Sequence, residues 1–88
     1  MLTKLDSHEQ LSEQDYGPWL DRVTLYEKNG KFFLQEQFGY DKPYDENWYE
    51  LAAKPDKPLA ALVGAGNGGW CGGGVLEDFF GDNTLTPT

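Results

Sequence analysis

The sequence predicts an α+β domain: a small antiparallel sheet built on a β-hairpin over residues 19–40, with short helices packed on one face. Three observations carry that expectation. Asn29-Gly30 sits between two alternating runs rich in Val, Leu, Phe and Tyr. Helix-start residues open three other segments, at Ser7, Asp45 and Pro58. Gly or Pro follows each of those segments, where a helix would end.

The first segment, 1–18, is acidic. Ser7 with Gln10 three residues on reads as a capping box, which predicts a short helix over His8–Asp15, ended by Gly17-Pro18. The hairpin comes next. Asn-Gly readily takes positive φ at both central positions, as a type I′ turn requires. A two-residue loop then sets the register: Tyr26 faces Phe33, Leu25 faces Leu34, Val23 faces Glu36, Asp21 faces Phe38 and Trp19 faces Tyr40. Alternation puts Trp19, Val23, Leu25, Phe32, Leu34, Phe38 and Tyr40 on one face, the candidate core. Asp21, Glu27 and Glu36 fall on that same face and are expected at its rim. Gly39 marks a bulge or the strand end.

Short helices are expected over 45–63. Asp45 caps Glu46 to about Ala53, with Trp48, Leu51 and Ala52 on one face, and Lys54-Pro55 stops it. Pro58 suits the first turn of Leu59–Val63, closed by Gly64, with a strand as the alternative for so short an apolar run. A Gly-rich loop, 64–74, follows. Leu76, Phe79 and Phe80 have i, i+3, i+4 spacing, which predicts a last helical turn. Thr84–Thr88 reads as a frayed tail.

The chain has 88 residues, read as one small domain over 1–88. It is 39% hydrophobic and 15% aromatic, enough apolar volume to argue against disorder. Its net charge of −8 lies in both terminal parts, with a near-neutral middle. That balance argues against direct binding to a phosphate backbone, which needs clustered Lys and Arg. The single Cys excludes an intramolecular disulfide. No apolar run of transmembrane length and no leader pattern is visible, so no membrane association is expected and a cytoplasmic location is.

Gly64-Ala65-Gly66-Asn67-Gly68-Gly69 has the spacing of a dinucleotide-binding loop. Its context does not fit. The motif should open a helix, but Trp70-Cys71-Gly72-Gly73-Gly74 follows, and too few residues remain for a βαβ unit. No cofactor is therefore expected. The stretch reads as a turned Gly-rich loop anchored by Trp70, either structural or an interaction element. Cys71 and the lone His8 make neither a zinc ligand set nor a nucleophile with an adjacent base. No EF-hand spacing occurs around Asp41. With no catalytic, metal or cofactor set, enzymatic activity is not expected.

The informative stretch is Phe38–Tyr49, where aromatics and acids alternate closely. Tyr and Trp beside carboxylates suit a surface that meets Arg and Lys on a partner, although the same aromatics also serve a small core. The candidate partner-binding residues are Asp15, Tyr40, Asp41, Tyr44, Asp45, Glu46, Tyr49, Glu50 and Trp70. The expected function is that of a small acidic inhibitor, monomeric or dimeric, that blocks a basic, nucleic-acid-binding protein. By analogy of charge and size alone, this is the class of phage or mobile-element anti-defence proteins (anti-CRISPR, anti-restriction) and of acidic immunity proteins, some of which mimic nucleic acid. The alternative is a structural or assembly subunit, favoured by the uncharged stretch Gly64–Leu76.

Overall fold

The computed structural model describes residues 1–62, 75–81, 83 and 86–88. The fold is mostly antiparallel sheet. Strands β1 (Thr3–Gln14), β2 (Gly17–Lys28), β3 (Lys31–Tyr40), β4 (Asp45–Leu51) and β5 (Thr86–Pro87) lie side by side in the order β1-β2-β3-β4-β5. A 3₁₀ turn at Leu59–Ala61 and one helix, α1 (Val75–Phe80), complete the described elements. This corrects the α+β expectation with several short helices.

The hairpin forms as its turn chemistry predicts. Asn29 and Gly30 take φ of 52° and 79°, and β2 pairs with β3 from Lys28–Lys31 to Trp19–Tyr40 in the expected register. The predicted core face supplies Val23, Leu25, Phe32 and Leu34 to the core, whereas Trp19, Phe38 and Tyr40 lie outside the cluster and Tyr40 is exposed. Val23, Leu25, Leu34 and Leu51 from the sheet pack with Leu59, Leu62, Leu76 and Phe80, while Phe32, Tyr49 and Phe79 close the cluster. Leu76 and Phe80 are buried and Phe79 half-buried, as the spacing in α1 predicts. Gly81, at φ 55°, ends the helix, and its N–H donates to the Glu77 carbonyl at 2.9 Å.

Two expected helices are strands. The segment His8–Asp15 lies mostly in β1, paired with β2 along its whole length. Ser7 does not cap; its hydroxyl contacts the Val23 carbonyl at 3.3 Å and the Thr24 hydroxyl at 3.2 Å. The half-buried side of β1 is polar (Asp6, His8, Gln10, Ser12, Gln14), so no apolar alternation announces the strand. Local capping stabilises a helix by only about 1 kcal/mol, and a full ladder of backbone hydrogen bonds outweighs it. Likewise Asp45–Leu51 is β4, with Trp48 and Leu51 on opposite faces. Its aromatic residues fit a half-buried pleat better than a helix. The predicted helix Leu59–Val63 shrinks to the 3₁₀ turn, and Val63 and Gly64 lie outside the described residues. The expected tail is partly a strand: Thr86 pairs with Glu50, Pro87 with Tyr49, and the Thr88 N–H donates to the Trp48 carbonyl at 3.1 Å.

Asp21 and Glu36 are not at a rim. They are 0% and 3% exposed. The Trp19 indole N–H donates to Asp21 Oδ1 at 3.0 Å, and the Asn47 amide donates to Glu36 Oε1 at 2.9 Å. The Tyr49 hydroxyl reaches the same Glu36 oxygen at 3.4 Å. Among the described residues no buried side-chain polar atom lacks a partner. Burial of carboxylates is tolerable only with such donors.

Leu34 is fully buried at the centre of the cluster. Leu34→Ala is expected to lower unfolding free energy by about 3 kcal/mol through lost burial and the cavity left behind. A urea titration of both proteins checks this.

Candidate functional site

The long axis of the molecule measures 41 Å. A 12-residue strand is about 40 Å long, so the strand ends are the ends of the molecule. One end carries the Asn29-Gly30 turn. The other carries two connections side by side: the β1–β2 turn at Asp15-Tyr16 and the β3–β4 connection Asp41–Tyr44. We refer to the second end as the tip.

Backbone chemistry brings the two connections together. The Asp41 N–H donates to the Pro18 carbonyl at 2.8 Å, which ties the β3–β4 connection to the start of β2. Asp41 takes φ 70°, a conformation that Asp tolerates better than most residues. The Tyr44 N–H donates to the Lys42 carbonyl at 2.9 Å, a three-residue turn. Gly39 stays in β3, opposite Leu20, and lets this turn fold back against the strand. A Cβ at Gly39 would collide with the Lys42 carbonyl oxygen and stand 2.9 Å from the Tyr44 nitrogen.

Aromatic rings continue the link. Tyr16 meets Tyr40 edge to face at 6.0 Å, and Tyr40 meets Trp19 edge to face at 4.9 Å. Trp19 lies 5.9 Å from Phe38. Tyr16 is 85% exposed, Tyr44 70% and Tyr40 38%. Lys42 Nζ lies 5.8 Å from the Tyr44 ring centroid. Exposed carboxylates surround these rings: Asp15, Asp41 and Asp45, with Glu13 next to the β1–β2 turn.

The predicted partner-binding residues therefore separate. Asp15, Tyr40, Asp41, Tyr44 and Asp45 come together at the tip. Glu46 and Glu50 lie on the sheet face opposite the core. There Glu46 accepts from the Gln35 amide at 2.9 Å and the Trp48 indole at 2.8 Å, and the Tyr26 hydroxyl donates to Gln35 at 3.2 Å. Tyr49 turns to the core side beside Glu36. Trp70 and Cys71, with the glycine motif, lie outside the described residues. Sequence reasoning missed Tyr16, the most exposed aromatic of the tip. Its signal was the Asp15-Tyr16-Gly17 sequence, a turn between two strands once β1 is extended.

The opposite end carries both signs, with five lysines beside Glu27, Glu50, Asp56, Glu77 and Asp78. Lys28 and Lys31 flank the Asn29-Gly30 turn, Lys4 pairs with Tyr26, and Lys54 and Lys57 follow β4. Arg22 lies between the ends in an ion pair with Glu9 at 2.9 Å. At the tip Lys42 is the one base beside Glu13, Asp15, Asp41 and Asp45. Among the described residues there is no cluster of three metal-ligating side chains, and no helix is long and apolar enough to cross a membrane.

Gly39→Ala is expected to destabilise the protein by more than about 1 kcal/mol, because the tip connection must move to admit the methyl group. Gly81→Asn, at φ 55° with open space around it, is expected to change stability by less than about 0.5 kcal/mol. Thermal or urea unfolding of the two variants checks the contrast. Comparison with known proteins gives no match to this chain among family models, curated proteins or solved structures.

Proposed function

We propose that the protein is a small, non-catalytic inhibitor that acts in the cytoplasm by covering the basic, nucleic-acid-binding surface of a protein partner. The supporting observation is the meeting, at one sheet end, of Tyr16, Tyr40 and Tyr44 with Asp15, Asp41 and Asp45. Aromatic residues ringed by charge are the composition of binding hot spots. Carboxylates around them stand in for phosphates and steer a cationic partner into contact. At physiological salt the screening length is about 8 Å, far shorter than the molecule, so the tip presents its own negative field whatever the distant lysines do.

The mechanism is steric. The tip fills the partner's nucleic-acid site, Tyr16 and Tyr44 supply buried contact area, and Asp15, Asp41 and Asp45 pair with Lys and Arg at the rim. Glu46 and Glu50 stand on the sheet face opposite the core, apart from the tip cluster, and Glu46 there holds Gln35 and Trp48. This is the mode of action expected of a phage or mobile-element anti-defence protein.

The test is affinity capture of the tagged protein from bacterial lysate, read by mass spectrometry. A nucleic-acid enzyme is expected, lost at high salt and displaced by added duplex DNA. The Asp15→Lys, Asp41→Lys, Asp45→Lys triple variant is expected to lose it while keeping cooperative unfolding. Tyr44→Ala is expected to weaken the purified complex about tenfold or more. Capture that survives high salt and the triple variant would sink the reading, and recovery of assembly neighbours alone would point to a structural subunit.

A further inference from the structure

The end opposite the tip holds a cavity of about 450 Å³ between the segment after β4 and α1. That volume is in the range of small-molecule sites. Its floor is aromatic: Phe79 and Phe80 meet edge to face, 5.1 Å apart at 86°. Ala52, Ala53 and Pro55 form the facing apolar wall.

The wall is held in place. The Asn83 side chain accepts a hydrogen bond from the Ala53 N–H at 2.9 Å and donates one to the Ala53 carbonyl at 2.7 Å. Pro55 and Pro58 restrict the backbone between that clasp and the 3₁₀ turn. A site fixed before binding loses less entropy when it is filled.

Among the described residues the lining carries two bases and one acid. Lys54 and Lys57 line the cavity, and Lys57 Nζ lies 5.2 Å from the Phe79 ring centroid, a cation–π distance. Lys54 and Lys57 are both exposed. Asp56 also lines the cavity and offsets part of this charge. Glu77 and Asp78, exposed on α1, precede Phe79 but do not line the cavity, and the acids of the tip are several screening lengths away.

We propose that this cavity binds a small organic monoanion with a flat apolar body, an arylalkyl carboxylate. The ring lies between Phe79 and Pro55, and the carboxylate reaches the ammonium of Lys57, with Lys54 beside it. A cation of the same shape meets like charge. A polyphosphate finds two lysines and an opposing carboxylate, too little charge for its own. This site is remote from the tip and does not rest on the inhibitor reading.

The experiment is a titration of the isotope-labelled full chain, followed by amide NMR shifts, with phenylacetate and with phenethylammonium. Phenylacetate is expected to shift Ala52–Lys57, Phe79, Phe80 and Asn83 saturably, with Kd of about 1 mM. Phenethylammonium is expected to leave them unmoved. Lys57→Gln, an exposed position, is expected to keep the spectrum and weaken phenylacetate about threefold or more. Shifts that grow linearly without saturation, equal shifts with phenethylammonium, an unchanged Lys57→Gln titration, or shifts centred on Asp15 and Tyr44 would each overturn the proposal.

Discussion

The two-residue turn at Asn29-Gly30 is the constraint on which the rest depends. Both residues hold positive φ, so the loop has one length and the β2–β3 ladder one register. A slip of one residue would turn a strand over. Were β2 to slip, Val23 and Leu25 would face away from the core cluster and Arg22 and Thr24 would face it, while Leu34 on β3 kept its place. Pairing also sets the tip, because Trp19 opposite Tyr40 brings the β1–β2 and β3–β4 connections to the same place.

The core face is not purely apolar, and the exceptions are specific. Asp21 and Glu36 lie on facing strands two pairs apart, and each accepts hydrogen bonding from side chains on the same face. A buried carboxylate without donors is strongly unfavourable, whereas one with donors is close to neutral in stability. The Glu36 contacts discriminate between registers. In any other β3–β4 alignment Asn47 and Tyr49 would no longer reach Glu36, whereas Trp19 and Asp21 share β2 and meet whatever the register.

What was legible in the sequence followed from local chemistry with one solution. Asn29-Gly30 predicted the hairpin and its register, alternation predicted the core face, and Leu76, Phe79 and Phe80 predicted α1. What misled was local chemistry with two solutions. Ser7 and Asp45 resemble caps, yet both segments lie beside strands that need partners, and ladder formation prevails over a cap. In β1 the inward residues are polar, so a periodicity based on hydrophobicity had nothing to register. Glu36, expected at a rim, is buried because its donors Asn47 and Tyr49 come from the neighbouring strand, which no local window contains, while the Asp21 donor, Trp19, stands two residues away on the same strand. For the site, Tyr40, Asp41, Tyr44 and Asp45 were readable as one aromatic and acidic stretch. Tyr16 was hidden by the helix expected over its neighbours. Tyr49 and Glu50 were separated by strand alternation, which sends adjacent residues to opposite faces.

The order β1-β2-β3-β4-β5 means that every strand pairs with its neighbour along the chain. Most pairing is thus sequence-local, and loop closure is inexpensive for each hairpin in turn. The tip has a different kinetic character. Its two halves belong to connections on either side of the central hairpin, so the tip as a whole is not complete until β1 and β4 have both docked. The tip is consequently among the last features to assemble during folding. A half-formed chain exposes the Asn29-Gly30 hairpin but no organised tyrosine cluster, so the complete tip belongs to the finished molecule.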